Sequence, residues 1–113
     1  MTPRHGWLAI ADLNPGAGTE AGKRRPVLIL QVDLLNDVGH PSTWVLPCTT
    51  RLTGESLLRE PIAAGVAGNA DSCEIMVDQP RAIDNRRFRE LLGPLPGEIL
   101  TAVKDKVRLL GGM

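Results

Sequence analysis

Three basic residues, Lys23, Arg24 and Arg25, close a glycine-dense stretch from Asn14 to Lys23 (NPGAGTEAGK), and Pro26 follows them. A guanidinium can grip a phosphate through two parallel N–H bonds, where an ammonium offers only a point charge. Gly16, Gly18 and Gly22 permit tight turns and close backbone approach. Backbone N–H groups freed by them could complete a cradle for a phosphodiester beside the arginines. The same residues also read as a plain solvated basic turn. Pro26 biases Arg25 toward extended geometry. Further along, Thr49 and Thr50 end an apolar run. Threonine in a strand is ordinary, so these hydroxyls gain chemical interest only if the strand end comes next to Arg25. Asp78 and Gln79 stand at another expected strand end, where Gln79 can read a base edge or simply hydrogen-bond a loop. Arg81, Arg86, Arg87 and Arg89 lie within nine residues, with Asp84 among them and Glu90 beside them. Local ion pairs on a solvated turn explain that cluster without further function.

Other chemistries fit poorly. The glycines at 16, 18 and 22 miss the spacing of a dinucleotide-binding GxGxxG, and a β-branched run follows them where a helix should start. His5 and His40 have no ligand-spaced partner. Cys48 and Cys73, 25 residues apart with no CxxC, make neither a zinc ribbon nor a disulfide scaffold. Cys48 reads as a small buried residue. No metal site and no cofactor are expected. The cysteine usage fits a reducing cytoplasm, and Met1 to His5 lacks the apolar core of a secretion signal. The 13 basic and 13 acidic residues cancel, so whole-chain charge does not announce a nucleic-acid binder, yet 10 of the 13 bases are arginine. With no tyrosine and only Phe88 as phenylalanine, the composition argues against an RNA reader that works by aromatic stacking. No stretch has the length of a membrane span.

The elements that must position these residues are short. The 113 residues suit one domain, 1–113. Residues 7–13 (WLAIADL), 27–32 (VLILQV) and 43–49 (TWVLPCT) read as strands, with Pro47 implying an edge or a bulge. Residues 57–62, 73–78 and 91–95 are weaker strand candidates. Ile99, Leu100, Val103, Val107 and Leu110 recur with helical period, between Pro96 and Gly111. The expected fold is mainly β (α+β), with short antiparallel strands and a C-terminal helix. The loop from Asn14 to Lys23 exceeds ordinary hairpin length, as working loops do.

WLAIADLNPGAGTEAGKRRPVLILQ, then LPCTT, then VDQPRAID, in that order and spacing over nearly the whole chain, resemble the MazF/PemK family of toxin endoribonucleases. The resemblance implies a compact SH3-like antiparallel β-barrel with a C-terminal α-helix, assembled as a homodimer. It implies a metal-independent endoribonuclease that cuts single-stranded RNA into 2′,3′-cyclic phosphate and 5′-hydroxyl ends. It also implies a small MazE-like antitoxin whose disordered tail fills the RNA groove. The family's catalytic arginine and threonine fall on Arg25 and Thr49. Its Gly-Ser-Glu falls on Gly18, Thr19 and Glu20, and its Asp-Gln on Asp78 and Gln79. Lys23, Arg24 and Pro26 join these as RNA-binding candidates, as do Thr50, Arg51 and Arg81. The chain departs from the pattern at His5-Gly6-Trp7, where the family opens Arg-Gly-Asp, and at Pro80, where a branched apolar residue is usual. These departures bear on sequence preference and rate more than on reaction type.

Such cleavage uses the neighbouring 2′-OH as nucleophile, so the protein must take a proton, stabilise phosphorane charge and protonate the leaving oxygen. Arg25 suits the stabilising role, with Thr49 as a supporting donor. Glu20 and His5 are the titratable candidates for acid/base work, and His5 has the apt intrinsic pKa. Two alternatives share the architecture: a CcdB-like gyrase poison, and a catalytically inactive binding module. The former uses a tryptophan near the C-terminus, whereas the tail here is Leu109-Leu110-Gly111-Gly112-Met113.

Overall fold

The apolar runs alternate, and alternation sorts them onto two opposite faces of a sheet. In the computed structural model, which describes residues 1–113, Leu8, Leu28, Leu46 and Cys48 enter one core cluster while Ala9, Val27, Ile29 and Val45 enter another. Strands buried on both faces read as continuous apolar runs, which is why these three were legible. They are β1 (Trp7–Asp12), β2 (Arg24–Ile29) and β3 (Ser42–Thr49). The others are β4 (Arg59–Ile62), β5 (Cys73–Met76), β6 (Arg81–Asp84) and β7 (Phe88–Pro94). The sheet runs β4-β5-β3-β2-β1-β7, with β6 paired to β3, and every pairing is antiparallel. A mostly antiparallel sheet with a C-terminal helix is the expected class.

The strand expected over 91–95 begins earlier, at Phe88, and two further strand expectations need correction. Pro47 is neither on an edge strand nor at a bulge. It lies opposite Val27 of β2, in a strand flanked on both sides. On its other side β3 pairs β6 through Val45 and resumes with β5 at Cys48. Pro47 falls in the gap between those partners, where a missing N–H interrupts no ladder bond. β2, moreover, begins at Arg24 and not at 27, since Asp12 and Ala11 of β1 pair with Arg24 and Arg25. The two arginines therefore ride on a strand and share its rigidity.

The sequence reading also missed α1 (Asp33–Asp37) and β6. The first is little more than one turn, and the second buries only Ile83 of its four residues. α2 (Gly97–Leu110) was expected, and Ile99, Leu100, Val103 and Val107 do pack on the core beneath it. Leu110 does not, being 43% exposed at the helix end. Lys106 fastens this helix to β4, its Nζ donating to the Arg59 carbonyl and to Glu60 Oε1 at 2.7 and 2.8 Å. No helix is long and apolar enough to cross a membrane.

Candidate active site

The ends of β2 and β3 bring the catalytic candidates together. The β2–β3 ladder ends with Val27 opposite Pro47, and beyond it Arg25 reaches across to the carbonyl of Cys48, the residue before Thr49. The Arg25 side chain is fixed at two points: Nε donates to the Gly22 carbonyl at 2.7 Å, and Nη1 to the Cys48 carbonyl at 3.1 Å. Of the five N–H bonds of a guanidinium, three remain for an incoming group. Partial burial draws its pKa below the ordinary value, weakly opposed by Cys48. Arginine stays cationic at neutral pH regardless. Thr49 accepts the Arg51 N–H on Oγ1 at 3.1 Å, so its own hydroxyl proton is free to donate.

Both residues line a cavity of about 780 Å³. Lys23, Arg24, Pro26, Thr50 and Arg51 surround them there, as the sequence reading expected. Arg59 also lines it, and only Asp71 and Glu90 bring negative charge. A chain of zero net charge thus gathers five cations against two acids in one concavity. Such focusing attracts a polyanion. Thr19, Ala21 and Gln79 are shared with a smaller space lined also by Glu20, Asp78 and Arg81.

His5 is not in this constellation. Its Nδ1 donates to the Leu30 carbonyl at 2.9 Å, and its backbone N–H to Asp33. That is the opposite end of β1 and β2, roughly 15–20 Å from Arg25 at about 3.3 Å per residue. As an acid/base candidate within this subunit, His5 is withdrawn. Glu20, by contrast, stands on the loop and lines the smaller adjoining space, not the cavity of Arg25 and Thr49. Gly18, with φ +57, shapes that loop without lining either space.

The loop itself is held from outside. Gln79 accepts the Ala21 N–H on Oε1 at 3.0 Å and donates from Nε2 to the Thr19 carbonyl at 2.9 Å. Arg81 Nη1 donates to the Ala21 carbonyl at 3.2 Å, and Arg87 Nη1 to the carbonyls of Asp12 and Asn14 at 3.1 and 2.6 Å. Inside the loop, Lys23 N–H donates to Asn14 Oδ1 at 2.7 Å while Lys23 adopts φ +69. The arginine cluster is therefore only partly the solvated turn expected. Arg86 pairs with Asp84 at 3.0 Å and holds that carboxyl at a pKa of about 2, whereas Arg81 and Arg87 brace the loop.

Sequence reasoning missed Glu74. It pairs with Thr49 across β3 and β5 and is buried. Its carboxylate accepts the N–H groups of Thr53 and Gly54 at 3.0 and 2.9 Å and the Thr53 hydroxyl at 3.0 Å, with Arg59 at 3.8 Å. These bonds, the Gly54 N–H foremost, hold its pKa below the ordinary value. Glu74 thereby anchors the segment carrying Thr50, Arg51 and Thr53 along the cavity wall. An acid in a four-residue apolar strand, CEIM, was the available signal.

A small antiparallel sheet whose strand ends present an arginine-rich cavity beside a braced glycine loop defines a class with the equipment to hold a phosphodiester. Residues 4–111 match the family of PemK-like, MazF-like toxins of type II toxin-antitoxin systems, and the chain belongs to that family. Endoribonuclease EndoA of Bacillus subtilis (strain 168) is 29% identical, with 96% of this chain and 94% of the relative aligned. Among solved structures, MazF (Form-I) from Deinococcus radiodurans is 31% identical with a TM-score of 0.85, covering 100% of this chain and 99% of that one. MazE-MazF (Form-II) from Deinococcus radiodurans is 31% identical with a TM-score of 0.80, covering 100% and 98%.

Proposed function

We propose that this chain is the toxin of a type II toxin-antitoxin pair and acts as an endoribonuclease on single-stranded RNA in the cytoplasm. The observation that carries this reading is the fixed Arg25 guanidinium sharing one cationic cavity with Thr49. The relatives named as endoribonucleases support it. In the proposed reaction the 2′-OH beside the scissile phosphate attacks phosphorus, and the 5′-oxygen leaves, giving a 2′,3′-cyclic phosphate and a 5′-hydroxyl. Arg25 neutralises the charge that develops on the non-bridging oxygens, and Thr49 adds a donor. Because its two carbonyl anchors hold Arg25 before substrate arrives, little reorganisation accompanies the charge build-up. An arginine is too weak an acid to be a good base at neutral pH. Glu20, in the adjoining space, and Asp71 and Glu90, in the cavity itself, are the carboxylates at hand for proton transfer.

By likeness to the solved MazE-MazF pair, the partner is a MazE-like antitoxin covering this cavity. The single domain 1–113 acts as a homodimer in this reading. Val32, Leu34, Leu35, Val38 and Trp44 are each at least 41% exposed, and exposed apolar side chains of this kind are suited to association.

The test is incubation of purified protein with mixed RNA in chelator, followed by end mapping. Cuts at a recurring short sequence, with cyclic-phosphate ends, are expected. Arg25→Ala and Thr49→Ala should each lower the rate by about 100–1000-fold. A substrate with 2′-deoxyribose at the scissile position should survive. Its cleavage at the normal rate would end the 2′-OH mechanism, and gyrase-dependent DNA breaks without RNA cuts would end the nuclease reading.

A further inference from the structure

Two thiols lie behind the catalytic candidates. Cys48, on β3, is fully buried, and Cys73, on β5, is 1% exposed. β3 and β5 pair with Cys48 opposite Ile75, so Cys73, two residues from Ile75, points to the same face as Cys48. Both belong to one core cluster. Both residues also line the cavity, the nearest opening through which a small molecule can approach them. Cys48, moreover, supplies the carbonyl that anchors Arg25 and is the residue before Thr49.

We infer that Cys48 and Cys73 form a reversible disulfide when hydrogen peroxide enters the cavity, and that this bond switches the site off. The inference of inactivation rests on the nuclease reading above; the cross-link does not. Cys73, the less buried of the two, is the attacking sulfur; interaction with Cys48 lowers its thiol pKa, whereas interaction with Cys73 and full burial raise that of Cys48. The Cys73 thiolate displaces hydroxide from the peroxide, forming a sulfur–oxygen bond as the oxygen–oxygen bond breaks. Cys48 sulfur then attacks the sulfenic sulfur, the second hydroxide leaves, and the two thiol protons end on the two waters. The two sulfurs are oxidised and the peroxide is reduced. Bonding requires the sulfurs to close to covalent distance, which draws the ends of β3 and β5 together. The Cys48 carbonyl moves with its residue, and Arg25 loses one of its two anchors. A catalytic group misplaced by about 1 Å costs about a hundredfold in rate.

The experiment treats the reduced full-length protein with hydrogen peroxide, alkylates remaining thiols, and maps peptides by mass. A Cys48–Cys73 cross-linked peptide is expected, with RNA cleavage about a hundredfold slower and restored by dithiothreitol. Cys73→Ala and Cys73→Ser should keep their own cleavage rates through the same treatment. The Arg25 Nε–H NMR signal should shift on oxidation in the wild type and in neither variant. Recovery of both thiols as alkylated peptides overturns the inference. So does a cross-link that moves neither the rate nor the Arg25 signal, or equal peroxide sensitivity in the variants. If the reduced protein does not cut RNA, the cross-link and the Arg25 signal still decide the switch, and only the nuclease reading fails.

Discussion

Gln79→Ala tests whether the glycine loop is braced by the side chain that sequence comparison would assign to RNA. Gln79 makes two bonds to this loop, one with the Ala21 N–H and one with the Thr19 carbonyl. Removing both costs about 1–2 kcal/mol, taking a net 0.5–1 kcal/mol for each bond at a site partly open to water. At 1.4 kcal/mol per factor of ten, the undocked loop becomes about 5- to 30-fold more populated. Arg81 still holds the Ala21 carbonyl, so the loop is loosened but not released, and Arg81→Ala on top should loosen it further. Hydrogen exchange resolves the effect, because the Ala21 amide loses its acceptor outright. Its exchange should accelerate by about the same 5- to 30-fold while amides in β1 and β2 keep their rates. RNA cleavage should slow while retaining its sequence preference. Unchanged Ala21 exchange together with altered cut sites would refute the bracing role and return Gln79 to base reading.

Arg25→Lys keeps the charge but cannot reach both the Gly22 and Cys48 carbonyls while facing the cavity, so cleavage should fall by about 100–1000-fold with thermal unfolding unchanged. A rate within about tenfold of wild type would show that charge alone suffices. Gly16→Ala would place a Cβ 2.9 Å from both the Glu20 carbonyl oxygen and the Gly22 nitrogen. Neither backbone atom can yield alone, so urea unfolding should report a loss of about 1–3 kcal/mol, or the loop should open with faster exchange; no change in either would contradict the packing. Glu74 has its pKa lowered from 4.5 by the bonds it accepts, so its contribution is fully present above pH 4.5 and lost as pH falls through the lowered value. Exchange in residues 50–58 should accelerate over that acid range in the wild type, and a Glu74→Gln variant should lack the dependence.

The parts of the fold that sequence exposed were those where burial on both faces left an unmixed apolar run, β1 to β3 above all. Where a strand buries little, as β6 does with Ile83 alone, nothing in four residues distinguishes it from a turn. The start of β2 was placed late for a different reason. Arg24 and Arg25 are polar and precede a proline, yet β1 supplies partners up to Asp12 and so extends the strand over them. Pro47 shows the same dependence on partners. Its cost is decided by a gap between β5 and β6 that no local pattern encodes. Leu110 had the right period and the wrong depth, since the helix outlasts the core it lies on.

The candidate site was legible as residue types and not as roles, because an arginine or an amide has the same appearance whether it faces ligand or backbone. Arg25 faces a cavity, Arg81 and Arg87 hold a loop, and Arg86 holds Asp84. Four arginines thus divide into at least three duties by where the chain places carbonyls and carboxylates. The arrangement has an internal logic. Arg25 takes an anchor from Gly22 at the loop's end, and the loop is fixed in turn by Gln79, Arg81 and Arg87. Rigidity passes from the β5–β7 segment to the loop and from the loop to the guanidinium. An orientation set through such a chain is sensitive to residues that touch no phosphate, so mutations at Gln79 and Arg87 should lower the rate through Arg25. Combining Gln79→Ala with Arg25→Ala tests this directly: once Arg25 is absent, loosening the loop should cost little further activity. Fully additive losses would mean that the loop acts on RNA by itself.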